Sequence, residues 1–186
     1  MTMAETFHIR PPHPDPPFQE PMEQELGHQT AEQMAEQAEI MIQTLNAEQH
    51  TAYNAIINSV LNNEGKAFFI DGPGGTGKSF LYKCITKKLL SLGRYISACA
   101  STGIAATLID GCTVHKLFGV PMDLEYDSTS MLHTDSKAAG VIRDSACIIW
   151  DEAPSSHRFT LDVADKFLRE ACRNDRPFGG KTIILG

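Results

Sequence analysis

Residues 72–79 read Gly72-Pro73-Gly74-Gly75-Thr76-Gly77-Lys78-Ser79 and fill the pattern G-x-x-x-x-G-K-[ST] at every required position. No other feature limits the fold as much, because this octapeptide works only between a strand and a helix. Its glycines let the backbone curl so that several N–H groups point inward at phosphate oxygens, and the following helix adds its positive end. Lys78 brings a mobile positive charge to β- and γ-phosphates, and the Ser79 hydroxyl can ligate Mg²⁺. A chance glycine turn needs no particular flanks, whereas here both are right. Residues 67–70 (Ala-Phe-Phe-Ile) form a short apolar run suited to a buried parallel strand. Leu81, Cys84, Ile85 and Leu89 repeat at helical spacing as far as Gly93. The expected ligand is ATP with Mg²⁺.

The rest of the chain alternates in the same way. Asn46 can cap a helix with Tyr53, Ile56, Ile57, Val60 and Leu61 on one face. Residues 95–100 read as a second strand, 104–109 as a short helix, and 119–135 as an irregular excursion. Residues 147–150 form a third buried strand, with Trp150 in the core. A long helix then carries Val163, Ala164, Phe167, Leu168 and Ala171 on one face, and residues 182–185 begin a fourth strand. Strands alternating with helices predict an α/β fold of the P-loop NTPase kind, a mainly parallel sheet flanked by helices.

Asp151-Glu152 follows directly on the third strand. A carboxylate there can hold Mg²⁺ through water beside the phosphate loop. Side chains alternate along a strand, so Glu152 is expected to point elsewhere and to take the proton of an attacking water. A solvated strand end is the plainer alternative for an acidic pair, but the phosphate loop favours catalysis, with hydrolysis as the reaction.

The net charge of −7 argues against nucleic acid only until it is located. Residues 1–44 hold eight acidic groups and the single base Arg10, so they carry all of it; the other 142 residues are balanced. Residues 1–27 contain six of the ten prolines and are expected to be a disordered acidic tail. Residues 28–44 read as a helical linker with a thin apolar face, where Thr30 and Gln33 can form a capping box. The ATPase domain is expected over 45–186. Lys83, Lys87 and Lys88 read as a solvated outer face. Cysteines 84, 99, 112, 147 and 172 include no C-x-x-C pair, which fits neither a disulfide framework nor a zinc site. Without a bilayer-length apolar run or a signal peptide, a soluble intracellular protein is the default expectation, with no membrane partner.

Four segments outside the phosphate loop carry a family resemblance. Ala100-Ser101-Thr102-Gly103-Ile104-Ala105-Ala106 resembles the second conserved motif of Pif-type DNA helicases, and residues 111–118 resemble the segment after it. Leu45-Asn46-Ala47-Glu48-Gln49 is similar to the family's adenine-reading element. Residues 149–154, with His157-Arg158 after them, are similar to helicases encoded by Helitron transposons. The resemblance covers 45–186 and implies the first RecA-like lobe of a motor that moves 5′→3′ on single-stranded DNA. It implies that Gln49 bonds the adenine, and that Ser101, Thr102, Gly103, Thr113 and His115 line the DNA track. It also implies work in DNA repair, recombination or telomere maintenance, in the nucleus, with the mitochondrion as second compartment. Each residue has a structural alternative. Gln49 can be the return partner of an Asn46 cap, Ser101 and Thr102 can cap the next helix, and His115 can be satisfied within the domain.

In the family a Gly-Asp-x-x-Gln element follows the strand seen at 182–185, and a second RecA-like lobe supplies arginine fingers. The sequence given stops at Gly186, before both. The resemblance implies that the strand at 182–185 lies between the phosphate-loop strand and the Asp-Glu strand, as in RecA-like sheets, with later strands beside them. An open sheet edge with exposed apolar surface is therefore expected, and with it marginal solubility and weak or absent turnover. An AAA+ ATPase would also suit the loop and the acidic pair, although the segments at 45–49, 100–106 and 111–118 oppose it. A non-catalytic ATP-binding remnant is the alternative outside enzymes.

Overall fold

The computed structural model describes residues 31–186. The Pro-rich tail and Thr30 lie outside the described residues, so neither the tail nor the capping box is addressed by it. Five parallel strands form one sheet: β1 (Ala67–Phe69), β2 (Ile96–Ala100), β3 (Cys112–Thr113), β4 (Cys147–Asp151) and β5 (Thr182–Leu185). Their spatial order is β1-β5-β4-β2-β3. The register pairs Ala67 with Ile183, Cys147 with Thr182, and Cys99 with both Trp150 and Cys112. The strand at 182–185 thus lies between the phosphate-loop strand and the Asp151 strand, as expected.

Helices α1 (Ala31–Gln43), α2 (Ala47–Leu61), α3 (Lys78–Ser91) and α4 (Gly103–Leu108) precede the short α5 (Val114–Phe118), then α6 (Lys137–Asp144) and α7 (Arg158–Cys172). The pleat divides the core in two. Cys147 and Ile149 of β4 pack with Ile184, α2 and α3 on one face. Ile148 and Trp150 pack with Ile183, α5, α6 and α7 on the other. In that second core Phe118 lies 5.9 Å from Trp150 and 6.4 Å from Phe167, ring centre to ring centre. Contacts of this kind add about 0.5–1.5 kcal/mol each beyond burial. The face expected for α7 is buried throughout, and so are Leu81, Cys84, Ile85 and Leu89 of α3. All five cysteines are free, with Cys84, Cys99 and Cys147 buried. No described helix is long and apolar enough to cross a membrane.

Several expectations need correction. The first strand is not buried: β1 lies at the edge of the sheet, and Phe69 on its outer face is 60 % exposed. On α2, Leu61 is 40 % exposed rather than inward, because it belongs to the last turn. Helix α1 packs on α3, burying Met34 and Ala38, and therefore belongs to the compact body, which begins before Leu45. Its contacts also claim two of the lysines expected in solvent. Lys87 donates to Gln37 at 3.3 Å, and Lys88 pairs with Glu39 at 2.9 Å. Residues 119–135 have no regular element, as expected, but β3, α5 and α6 were not legible in the apolar pattern.

Candidate nucleotide and nucleic-acid edge

Every residue singled out for chemistry, apart from Gln49, lies at or after the C-terminal end of a strand, the edge where open α/β sheets bind ligands. Across that edge the order is the phosphate loop after β1, Asp151 at the end of β4 with Glu152 just past it, Ser101–Gly103 after β2, and Thr113–His115 at β3. With strands about 4.8 Å apart, β4 stands roughly 10 Å from β1 on one side and from β3 on the other.

The phosphate loop shapes itself. Thr76 closes a turn on the Pro73 carbonyl, its hydroxyl donating at 2.8 Å. A Cβ on Gly72 would sit 2.8 Å from that hydroxyl oxygen, so position 72 has no room for a side chain. Gly77 has φ +89° and caps α3 without any side-chain bond, so the first-turn N–H groups face outward. Pro73, Gly74, Gly75 and Thr76 are exposed, and the loop forms an open shelf rather than a cleft. The Lys78 ammonium folds back onto the Gly72 carbonyl, over the place where phosphate oxygens would meet it. A cavity of about 410 Å³ lies on the flank of α3 beside Lys83, Lys87 and Tyr95, with Tyr82 in its lining and no residue of the phosphate loop.

Gln49 satisfies both of its readings in part. Asn46 accepts from the Gln49 backbone N–H at 2.9 Å, and Gln49 Oε1 accepts from the Asn46 N–H at 3.0 Å, a complete capping box. Gln49 Nε2 also donates to the Thr76 carbonyl at 3.2 Å, which ties α2 to the phosphate loop. One amide hydrogen and one oxygen lone pair remain, the pair that matches the N7 and N6–H of an adenine.

Asp151 ends β4 and is 7 % exposed. By the pleat it shares a face with Cys147 and Ile149, the face covered by α3, whose first turn carries Ser79. No group of three or more His, Cys, Asp or Glu side chains able to hold a metal exists among the described residues. Two hard oxygens, Ser79 and Asp151, suit Mg²⁺ shared with phosphate and water. Glu152 requires a correction. It lies beyond the strand at φ 53°, ψ 35°, so a left-handed turn, and not the pleat, sends its exposed side chain elsewhere. Such a backbone costs a non-glycine residue about 1–3 kcal/mol and persists only when its surroundings hold it. Ser101 is part of that hold: its hydroxyl donates to the Glu152 carbonyl at 2.5 Å and lies 2.6 Å from the Ser156 hydroxyl.

Thr102 and Thr113 cap α4 and α5, accepting from Ala105 at 3.2 Å and Lys116 at 3.3 Å. The capping alternative therefore holds for Thr102, and the structure adds the same role for Thr113. It fails for Ser101, whose partners are Glu152 and Ser156. His115 is half-buried on α5, and its carbonyl receives the Val120 N–H at 3.1 Å. Because β2 and β3 are register neighbours, residues 101–103 and 113–115 form one continuous stretch of the edge.

The model of the PIF1-like helicase family matches residues 44–186. The chain belongs to the PIF1-like helicase family. The AAA+ alternative is thereby set aside. ATP-dependent DNA helicase PIF1 of Danio rerio is 35 % identical over 137 residues, covering 70 % of this chain and 20 % of that protein. ATP-dependent DNA helicase PIF3 of Trypanosoma brucei brucei is 34 % identical over 120 residues, 64 % of this chain and 14 % of its own. Among solved structures, Pif1 helicase from Bacteroides in complex with ADP-AlF3 and ssDNA superposes with a TM-score of 0.62 at 31 % identity, over 76 % of this chain and 32 % of that one. The Pif1 helicase from Candida albicans gives 0.63 at 27 %, over 76 % and 32 %. This PIF1-like chain is thus a RecA-like lobe that spans less than a third of the first and about a third of the second kind of relative.

Sequence reasoning missed Tyr82, Ser156 and Gly186. Tyr82 stands three residues after Ser79, on the same side of α3, so helical spacing was a usable signal. Ser156 and Gly186 sit in irregular backbone, where no period marks them. The Tyr82 hydroxyl is buried beside Asp151 and makes no bond of hydrogen-bond geometry. Burial pushes this phenol up from its ordinary value, and the Asp151 carboxylate adds to the effect.

Proposed function

We propose that this chain is the first motor lobe of an ATP-dependent DNA helicase. It binds ATP with Mg²⁺ at residues 72–79 and works with a second RecA-like lobe to move 5′→3′ along single-stranded DNA. The observation that carries this reading is the shared edge. The phosphate loop, the acidic pair and the 101–103 and 113–115 segments stand in one row, with Asp151 and Glu152 in the middle. In this arrangement the loop N–H groups and Lys78 take the β- and γ-phosphates, and Gln49 takes the adenine edge. Ser79 and Asp151 hold the metal, which neutralises phosphate charge when bound. Glu152 is the base for the attacking water. Backbone and hydroxyl groups at Ser101, Thr102, Gly103 and Thr113 suit DNA phosphates, whose recognition carries no sequence information. His115 suits stacking on a base. The Bacteroides complex with ADP-AlF3 and ssDNA supports both ligands. Roles in repair, recombination or telomere maintenance, and a nuclear or mitochondrial location, rest on the family resemblance alone.

Titration of the chain with a fluorescent ATP analogue in Mg²⁺ tests the nucleotide half. Lys78→Ala removes a charge-assisted contact and should weaken binding on the order of tenfold or more. Equal affinity of mutant and wild type would overturn the assignment. A labelled oligonucleotide tests the other half, with binding that weakens as salt is raised.

A further inference from the structure

We propose that Tyr82 is a positioning residue for Asp151, and that Gly186 is glycine so that the two can meet. The inference rests on the nucleotide site assigned above. Three elements converge at one point on the α3 face of the sheet. Tyr82 comes from α3, one turn beyond Ser79, and is 1 % exposed. Asp151 comes from the end of β4. Gly186 follows β5 and is clamped to the end of β4 and the turn after it, its N–H donating to the Trp150 carbonyl at 3.0 Å and its own carbonyl accepting from the Ala153 N–H at 2.8 Å. The clamp fixes the Gly186 Cα against Asp151. A Cβ on Gly186 would lie 1.8 Å from the Tyr82 hydroxyl oxygen and 3.5 Å from Asp151 Oδ1. The phenol and the carboxylate therefore crowd the same small space, and only hydrogen at position 186 leaves it open.

The Tyr82 hydroxyl is buried and has no hydrogen-bond partner. A buried hydroxyl without a partner is uncommon, and such a group calls for an explanation. Asp151 offers a carboxylate, an acceptor-only group when ionised, within the same space. A small rotation of the Asp151 side chain satisfies both, and it fixes the rotation of a carboxylate that otherwise swings about its terminal bond. Tyr82 and Ser79 share one side of the same helix, so the group that orients Asp151 is carried rigidly with the Ser79 hydroxyl. The phosphate loop and the acidic strand are thereby set relative to each other through α3.

The test uses the full 186-residue chain, a fluorescent ATP analogue, and Mg²⁺ titrated from an EDTA-buffered start. Tyr82→Phe keeps the ring and deletes only the hydroxyl. Its affinity in EDTA should match wild type, whereas the Mg²⁺ concentration for half-maximal response should rise on the order of fivefold, the scale of one hydrogen bond. Gly186→Ala should weaken the Mg²⁺ response in the wild type and do so less in Tyr82→Phe, where the atom it strikes is gone. An unchanged Mg²⁺ midpoint in Tyr82→Phe, beside a normal wild-type response, would overturn this inference alone. A wild-type chain without any Mg²⁺-dependent nucleotide binding would overturn the nucleotide-site reading and this inference with it.

Discussion

Replacing Gly77 by alanine perturbs the phosphate loop in two separable ways. The first is conformational. Gly77 has φ +89°, where a Cβ crowds the following carbonyl, at a cost of about 1–2 kcal/mol for an L-residue. The second is a collision: the new Cβ would lie 2.6 Å from Gln49 Nε2. The amide is the mobile end of a side chain and can swing away, but then it gives up the bonds to the Thr76 carbonyl and the Asn46 N–H. Both bonds are exposed, so together they are worth roughly 1 kcal/mol. Gly77→Ala should therefore destabilise the chain by about 2–3 kcal/mol in equilibrium urea unfolding. In a Gln49→Ala background only the conformational part remains, and the same substitution should cost about 1 kcal/mol less. Equal penalties in the two backgrounds would refute the claim that Gln49 fills the space above Gly77. A penalty below about 0.5 kcal/mol in both would refute the left-handed loop itself.

Glu152→Gln in a protein that carries both lobes should bind the fluorescent nucleotide as wild type does and lose turnover on the order of 10² or more; near-normal hydrolysis would remove Glu152 as the base. Alkaline stability should report on Cys147, whose thiol burial pushes from 9.0 up to about 12, with Lys181 acting in the opposite sense. A folded value above the unfolded one means that the contribution is whole below pH 9 and is lost as pH rises toward 12. Between those limits wild-type stability should fall more steeply than that of Cys147→Ala, by at most about 1.4 kcal/mol per pH unit, and parallel curves would refute it.

The parts legible in sequence were those where a period or a strict pattern reports on a contact. Gly72–Ser79 is such a pattern, since each residue type answers a steric or charge demand of phosphate. The stripe Val163, Ala164, Phe167, Leu168 and Ala171 is such a period, and all five are buried. The order of β5 between β1 and β4 came from family resemblance rather than from the residues. What escaped was set by neighbours that are remote in sequence. Ala67–Phe69 is as apolar as a central strand, and only its place at the sheet edge exposes Phe69. A two-residue strand such as β3 has no period to read. Helix α1 looks thin because Met34 and Ala38 are a small stripe, yet α3 covers both. The Glu152 turn escaped because nothing in Asp-Glu-Ala-Pro demands a left-handed residue; the demand comes from Ser101, fifty-one positions earlier.

That last contact bears on how the two halves of the edge communicate. Glu152 owes its direction to a backbone conformation that is unfavourable for glutamate, so its aim depends on whatever holds the turn. Two of the holding groups are known by distance. The Ser101 hydroxyl bonds the Glu152 carbonyl, and Ser156, just past the turn, meets the same hydroxyl. Ser101 also belongs to the segment assigned to DNA phosphates, beside the Thr102 cap of α4. A phosphate that claims the Ser101 hydroxyl would compete with the Glu152 carbonyl for it, whereas one that claims the neighbouring backbone would leave the hold intact. In the first case the strained turn would convert a contact after β2 into a change of direction for the carboxylate after the neighbouring β4, without motion of the sheet. The rigid parallel pairing of Ala100 with Asp151 makes that conversion local, because the strand ends cannot shift to absorb it.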